Sequence, residues 1–223
     1  MIIDFKKTLV IAPHLDDETI ALGGTIKKLS NNKIKVNVII VGGHLPPLYN
    51  QKNYQITKKE SEKALKILGV KKVNYLDIPA LEFHKQHYNT MNSKINNLIN
   101  NFNPTTVFIP FPDRHIDHRT VFDCAMVNTR PNKKNYPKFV LSYETLSETH
   151  WNAPYIEPNF NPDFFVNIDD TIKEKIKALN CYQSQIRNNQ SRSIEAIQAL
   201  AKFRGSQNGC NYAEGFKLIR AIV

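Results

Sequence analysis

Short apolar runs alternate along this chain with segments whose apolar residues recur at helical spacing, and that alternation leaves few folds open. Thr8–His14 (TLVIAPH), Lys35–Val41 (KVNVIIV), Thr105–Pro110 (TTVFIP) and Lys138–Tyr143 (KFVLSY) read as strands, with Lys72–Leu76 a weaker one. After the first run, Ile20, Leu22, Ile26 and Leu29 keep helical spacing, and Asp17 and Glu18 lie where acidic side chains suit a helix N-terminus. Further helices are expected over Thr57–Leu68, stopped by Gly69, near Asn89–Phe102, from about His118 to Asn128, and over Ile168–Arg187 and Ser193–Phe203. Strands alternating with helices are the pattern of an α/β doubly wound, mostly parallel sheet with helices on both faces. No repeat or linker interrupts the pattern, so residues 1–223 read as a single domain.

Several classes fall away on composition. The longest apolar runs, such as Val36–Val41, are far shorter than the roughly 20 residues of a membrane helix, so no membrane span is expected. The first residues run into a core strand without a small-residue cleavage site, which reads as no signal peptide. The three cysteines, Cys124, Cys181 and Cys210, form no CxxC pair, which argues against a disulfide framework and a thiolate zinc site. They read as reduced thiols of a cytoplasmic protein.

The net charge of +10 admits a basic nucleic-acid-binding module or an anionic ligand. The charge is thinly spread, however, over pairs such as Lys27–Lys28, Lys58–Lys59, Lys71–Lys72 and Lys133–Lys134. A nucleic-acid reading also leaves two acidic clusters unexplained, because carboxylates repel phosphates; no nucleic-acid partner is expected.

Those clusters carry the chemistry. Pro13-His14-Leu15-Asp16-Asp17-Glu18 follows the first strand, and Asp113-Arg114-His115-Ile116-Asp117-His118 follows the strand ending at Pro110. A lone HxxD is a weak signal, since an Asp after a strand is often a helix cap. An HxDH alone is modest too. Both, however, stand at carboxyl ends of apolar strands, where doubly wound sheets bind ligands. Histidine and aspartate suit zinc, and a catalytic zinc takes three protein ligands and leaves a position open. His14, Asp17 and one histidine of the second cluster would supply them. Two adjacent carboxylates do not bind one ion side by side comfortably, so one is left to take a proton from water. The second histidine of the HxDH pair is then available to polarise a carbonyl.

At these residues the chain resembles the PIG-L, or LmbE-like, zinc de-N-acetylases, whose signature is PHPDDE followed by HxDH. Leu15 stands where that motif has proline. The resemblance extends to Glu60-Ser61-Glu62-Lys63-Ala64 with Leu68-Gly69, to Tyr143-Glu144-Thr145, and to Arg204-Gly205 followed by Tyr212-Ala213-Glu214-Gly215-Phe216. It implies a Rossmann-like fold. It also implies His14, Asp17 and His118 as ligands of Zn2+ or another divalent metal, and Asp16 as general base and then acid. His115 would stabilise the tetrahedral intermediate, and Asp117 would orient a histidine. The implied reaction removes acetyl from an N-acetylated amino sugar, a small GlcNAc-type conjugate or nucleotide sugar. Hydrolysis of a non-sugar acylated amine is the alternative.

Members of the family often carry an arginine three residues before the helix glutamate; Thr57 stands there, beside Lys58 and Lys59. Arg192, before Ser193, is a candidate contact for an anionic part of the substrate, and His44, after the second strand, is a candidate wall residue. His84, His87 and His150 read as loop residues. Trp151 and Tyr155 are aromatics that can stack on a sugar ring or simply pack a loop. Self-association into a homo-oligomer is compatible with the sequence.

Overall fold

A computed structural model describes residues 5–86, 88–132, 135–153, 155–186 and 191–223. His87, Arg187 and the Lys133–Lys134 pair lie outside the described residues. The elements are β1 (Lys7–Ala12), α1 (Asp17–Asn31), β2 (Lys35–Gly43), α2 (Gln51–Leu68), β3 (Lys72–Pro79), α3 (Tyr88–Phe102), β4 (Thr106–Pro110), α4 (Ile116–Asn128), β5 (Phe139–Tyr143), β6 (Phe164–Asn167), α5 (Ile172–Leu179), α6 (Ile194–Ser206) and β7 (Ala213–Ala221). Among the described residues the sheet has seven strands in the order β3-β2-β1-β4-β5-β7-β6. The first five pair in parallel, and β7 and β6 add an antiparallel edge.

The strands read as continuous apolar runs because both faces of the sheet are covered. Alternate side chains of β1 enter different cores, as a period of two requires. Val10 and Ala12 pack with Leu22 and Ile26 of α1 and Leu65 and Leu68 of α2. Leu9 and Ile11 pack with Met91 and Ile95 of α3 and Val121 of α4. Between β1 and β4 the strand order reverses, which opens a crevice at their carboxyl ends. The first cluster leaves β1 at that crevice, and the second leaves β4 there.

Helix α1 is broken at Leu22, where φ is −138° and ψ 26°. The break deprives the next amides of helical acceptors. Glu214 of β7 replaces them: its carboxylate accepts from Gly24 N at 2.9 Å and from Thr25 N at 2.6 Å. Lys175 Nζ, buried with it, donates at 2.6 Å. The other motif residues tie distant segments in the same way. Arg204 grips Glu144 through two bonds of 2.8 Å. Glu60 of α2 accepts from Ser184 N at 3.1 Å and Ser184 Oγ at 2.5 Å. Gly69, at φ 81°, closes α2 in the left-handed conformation its lack of a Cβ permits.

Three expectations need correction. The helix expected over Ile168–Arg187 is regular only over Ile172–Leu179. Ile168 is instead buried beneath Gly24, its carbonyl accepting from Thr171 N and Ile172 N in a turn. After Asn180 the chain turns so that the Tyr182 hydroxyl reaches Glu18 Oε1, at 2.7 Å. Helix α2 starts at Gln51, not Thr57, because the Asn50 side chain caps it by accepting from Lys52 N at 2.8 Å. Helix α4 starts two residues before His118, with His115 as its cap. Strands β6 and β7 carried no expectation at all.

Candidate active site

The turn after β1 is built around Asp16 and Asp17. Asp17 Oδ2 accepts from the His14 amide at 2.9 Å, which folds the PHLDD segment back on itself. Asp16 stands at the N-cap of α1, its carbonyl accepting from Thr19 N and Ile20 N, yet its side chain makes no cap bond. Its backbone is held at φ 128°, a strain on the order of 1–3 kcal/mol for a residue with a Cβ. Both carboxylates are therefore diverted from the ordinary capping role. Glu18 plays a different part: it accepts from the hydroxyls of Tyr182 and Thr19, each at 2.7 Å, and anchors the turn.

Parallel pairing of β1 with β4 brings the second cluster alongside. Asp17 Oδ2 lies 3.3 Å from His14 Nδ1 and 3.4 Å from His118 Nε2. The far nitrogen of each ring is bound to a carboxylate. His14 Nε2 is 2.9 Å from Asp117 Oδ2, which also accepts from Leu81 N at 2.7 Å. His118 Nδ1 is 2.9 Å from Asp113 Oδ2, which also accepts from Thr149 Oγ1 at 2.9 Å. His115 Nδ1 accepts from Asp117 N at 3.2 Å, and its ring lies against those of His14 and His118 with centroids 4.8 and 4.9 Å away.

These donors fit a metal. Tetrahedral zinc with bonds near 2.0–2.2 Å places its ligand atoms roughly 3.3–3.5 Å apart, the spacing found about Asp17. Among the described residues, His118 Nε2 and Asp17 Oδ1 are buried and have no hydrogen-bond partner. The carboxylate-bound far nitrogens are the usual supports of ligating histidines. His14, His115 and Asp117 also stand close enough to hold an ion, but His14, Asp17 and His118 form the more buried set.

Electrostatics separate the two aspartates. Burial disfavours the Asp17 anion, but the neighbouring charges of His118 and His14 outweigh it and hold the carboxyl well below its usual range. Burial pushes Asp16 up to about 7 against the opposing charge of Arg192. His14 is raised to about 9: burial opposes its cation, but hydrogen bonds to Asp117 and Asp17 prevail. His118 is raised to about 10, Asp17 and Asp113 overcoming burial. His115 is lowered to about 4, by burial and then by the neighbouring His14 and His118.

A cleft of about 480 Å³, its open mouth included, lies beside Asp16 and His115. His44 lies in its wall, its ring tilted against that of Tyr49 with centroids 4.4 Å apart. Thr57 is buried there, and Gln185 Nε2 donates to its hydroxyl at 3.4 Å. Arg192 also lines the cleft, but its guanidinium is bound to carboxylates of this chain. Trp151, Tyr155, His84 and His150 are exposed. Asp113, Ser147 and Glu148 belong to the site and were assigned no role from sequence. For Asp113 a signal existed: it stands five residues before His118 in the same cluster.

Residues 9–128, just over half of the 223-residue chain, match the family described as PIG-L: GlcNAc-PI de-N-acetylase. The chain is 28% identical over 233 residues to the diacetylchitobiose deacetylase of Thermococcus kodakarensis, covering 98% of this chain and 85% of that one. It is 25% identical over 190 residues to a probable N-acetyl-alpha-D-glucosaminyl L-malate deacetylase 2 of Bacillus cereus, covering 81% and 84%. Its fold matches the N,N'-diacetylchitobiose deacetylase from Pyrococcus horikoshii with a TM-score of 0.77 and 27% identity, covering 96% of this chain and 84% of that chain. With both signature clusters joined in one crevice, the chain belongs to the PIG-L family of de-N-acetylases.

Proposed function

We propose that this protein hydrolyses the N-acetyl group of an uncharged amino sugar, using a divalent ion held by His14, Asp17 and His118. The observation that carries the proposal is the placement of Asp17 Oδ2 at 3.3 and 3.4 Å from two imidazole nitrogens, beside a second buried carboxylate, Asp16, whose Oδ1 has no partner among the described residues. A bound zinc would acidify a water and polarise the acetyl carbonyl.

The chain's own groups do the rest. Asp117 and Asp113 accept the far N–H of His14 and of His118, so a bound ion would draw the proton from the nitrogens facing Asp17 and take their lone pairs. Asp16 takes a proton from the attacking water and returns it to the sugar nitrogen as the C–N bond breaks, leaving acetate and a primary amine. His115 is neutral in the usual pH range, and its Nδ1 accepts from Asp117 N. Its proton is therefore on Nε2, where it donates to the developing oxyanion.

The cleft wall favours a sugar without phosphate or carboxylate. Arg192 is the one Lys or Arg among the described residues lining the cleft, and Asp16 and Glu148 occupy it. Burial lowers the pKa of His44, followed by the charges of His14 and Arg192, so His44 adds no cation at neutral pH. Acetate release from neutral, phosphate-linked and malate-linked N-acetyl sugars and from acylated non-sugar amines tests the proposal, with protein stripped of metal and reloaded with Zn2+. Metal-dependent release, fastest from neutral sugars, is expected. Equal release without metal, or a preference for the anionic conjugates or the non-sugar amines, sinks it.

A further inference from the structure

We infer that Arg192 is a positioning residue that holds the Asp16 carboxylate out of the helix cap and into the site. The inference rests on the proposed role of Asp16 as the proton acceptor.

Asp16 stands where a side chain ordinarily turns back to accept from the amides of the first helical turn. Those amides are close at hand, because the Asp16 carbonyl already takes the bonds from Thr19 N and Ile20 N. Yet the side chain makes no cap bond. Its Oδ2 accepts instead from Arg192 Nη1 at 3.1 Å. That arrangement leaves Oδ1 buried and without a partner among the described residues.

The guanidinium is itself held on its other edges. Nε donates to Ser147 Oγ at 2.7 Å, and Nη2 lies 3.5 Å from Glu148 Oε1. Arg192 directly precedes Ser193, whose hydroxyl caps α6 by accepting from Ala196 N at 3.0 Å. The clamp thus grows from a helix start at one end and grips a tight turn at the other. A planar fork with fixed N–H directions suits this task; a lysine offers one point of charge and no fixed plane. With one oxygen engaged, rotation of the carboxylate is blocked and the same oxygen always faces the attacking water. The arginine acts through Asp16, and a substrate anion would have to displace two internal carboxylates to reach it.

The test compares wild type, Arg192→Ala and Arg192→Lys, all loaded with Zn2+, on a neutral N-acetyl sugar. We expect kcat to fall roughly 10- to 100-fold in Arg192→Ala, part of the 10²–10⁴-fold that a positioned proton acceptor contributes. KM should change little, zinc content should be unchanged, and added guanidinium should restore part of kcat. Arg192→Lys should fall between the two. A raised KM at constant kcat makes Arg192 a substrate contact and overturns the inference, as does loss of zinc or an unaltered kcat. A crystal structure of Arg192→Ala reads the geometry without turnover. Rotation of the Asp16 carboxylate toward the Glu18 or Thr19 amide is expected, and an unmoved carboxylate refutes the clamp. If wild type releases no acetate but the carboxylate still rotates in the variant, the assigned chemistry fails while the clamp stands.

Discussion

Asp113 holds His118: its Oδ2 lies 2.9 Å from His118 Nδ1, and both side chains are sealed from solvent. The bond leaves His118 Nε2 pointed at Asp17. Removing the charge of such a supporting carboxylate usually costs 10–100-fold in metal affinity. Asp113→Asn should therefore weaken zinc binding by roughly that factor while His14 and Asp17 remain. Competition with a chromophoric chelator measures it, and an unchanged affinity would separate Asp113 from the metal site.

Metal uptake should release protons. His14 and His118 have pKa values raised to about 9 and about 10, so both are protonated at neutral pH, and a ligating imidazole must be neutral. About two protons per ion should leave at pH 7, and zinc affinity should rise as pH climbs toward 9. The stability of the metal-free protein should run the other way. These folded pKa values exceed the unfolded value near 6.5, so the stabilisation is full below that pH and is lost as pH rises through 9 to 10. Calorimetry in buffers of different ionisation enthalpy counts the protons; a count of zero contradicts the ligand assignment.

Asp16→Asn should lose activity without losing metal. The amide cannot take a proton, and a fall of 10²–10⁴-fold in kcat is expected. Stability should not suffer at pH 8. Burial raises the Asp16 pKa to about 7, above an unfolded value near 3.9. Such a group favours folding below its unfolded pKa and forfeits that stability as pH rises through the folded one. Neutralising it removes the forfeit, so a melting temperature at pH 8 well below wild type would count against this account.

Glu214 should prove structural. Its carboxylate satisfies Gly24 N, Thr25 N and Lys175 Nζ in a buried setting. Glu214→Ala strands a buried cation and two amides, and breaking a buried pair this way costs about 3–5 kcal/mol. Urea unfolding measures it. A loss under about 1 kcal/mol would mean that water replaces the carboxylate, as an exposed pair allows.

Strands β1, β2, β4 and β5 were legible because each is buried on both faces, which writes a continuous apolar run such as Val36–Val41 into the chain; β3, half-buried at the sheet edge, reads more weakly. Strands β6 and β7 were not legible. Val166 is only partly buried, and β7 mixes Glu214, Lys217 and Arg220 among its apolar residues, so neither shows a clean period. Their pairing joins Phe164 to Phe216, far apart in the chain. The early start of α2 rested on one cap, Asn50, in a loop-like sequence. The end of α5 was decided by a hydroxyl, that of Tyr182, seeking Glu18 across 164 residues.

What the amino-acid sequence determined by itself is what short range can encode: the strand–helix alternation, and two polar clusters at strand ends, with His14 and Asp17 three residues apart in the first. Resemblance to a family then divided the roles between neighbouring aspartates. Only the tertiary structure decided which groups finish the site. Asp113 became the support of His118 through packing, and Arg192 met Asp16 across 176 residues because α6 and the Ser147 turn converge on the crevice. A guanidinium seeks whatever carboxylate the fold brings near it. Elements distant in sequence set the burial and much of the charge around each group, beside near neighbours such as Asp113 at His118.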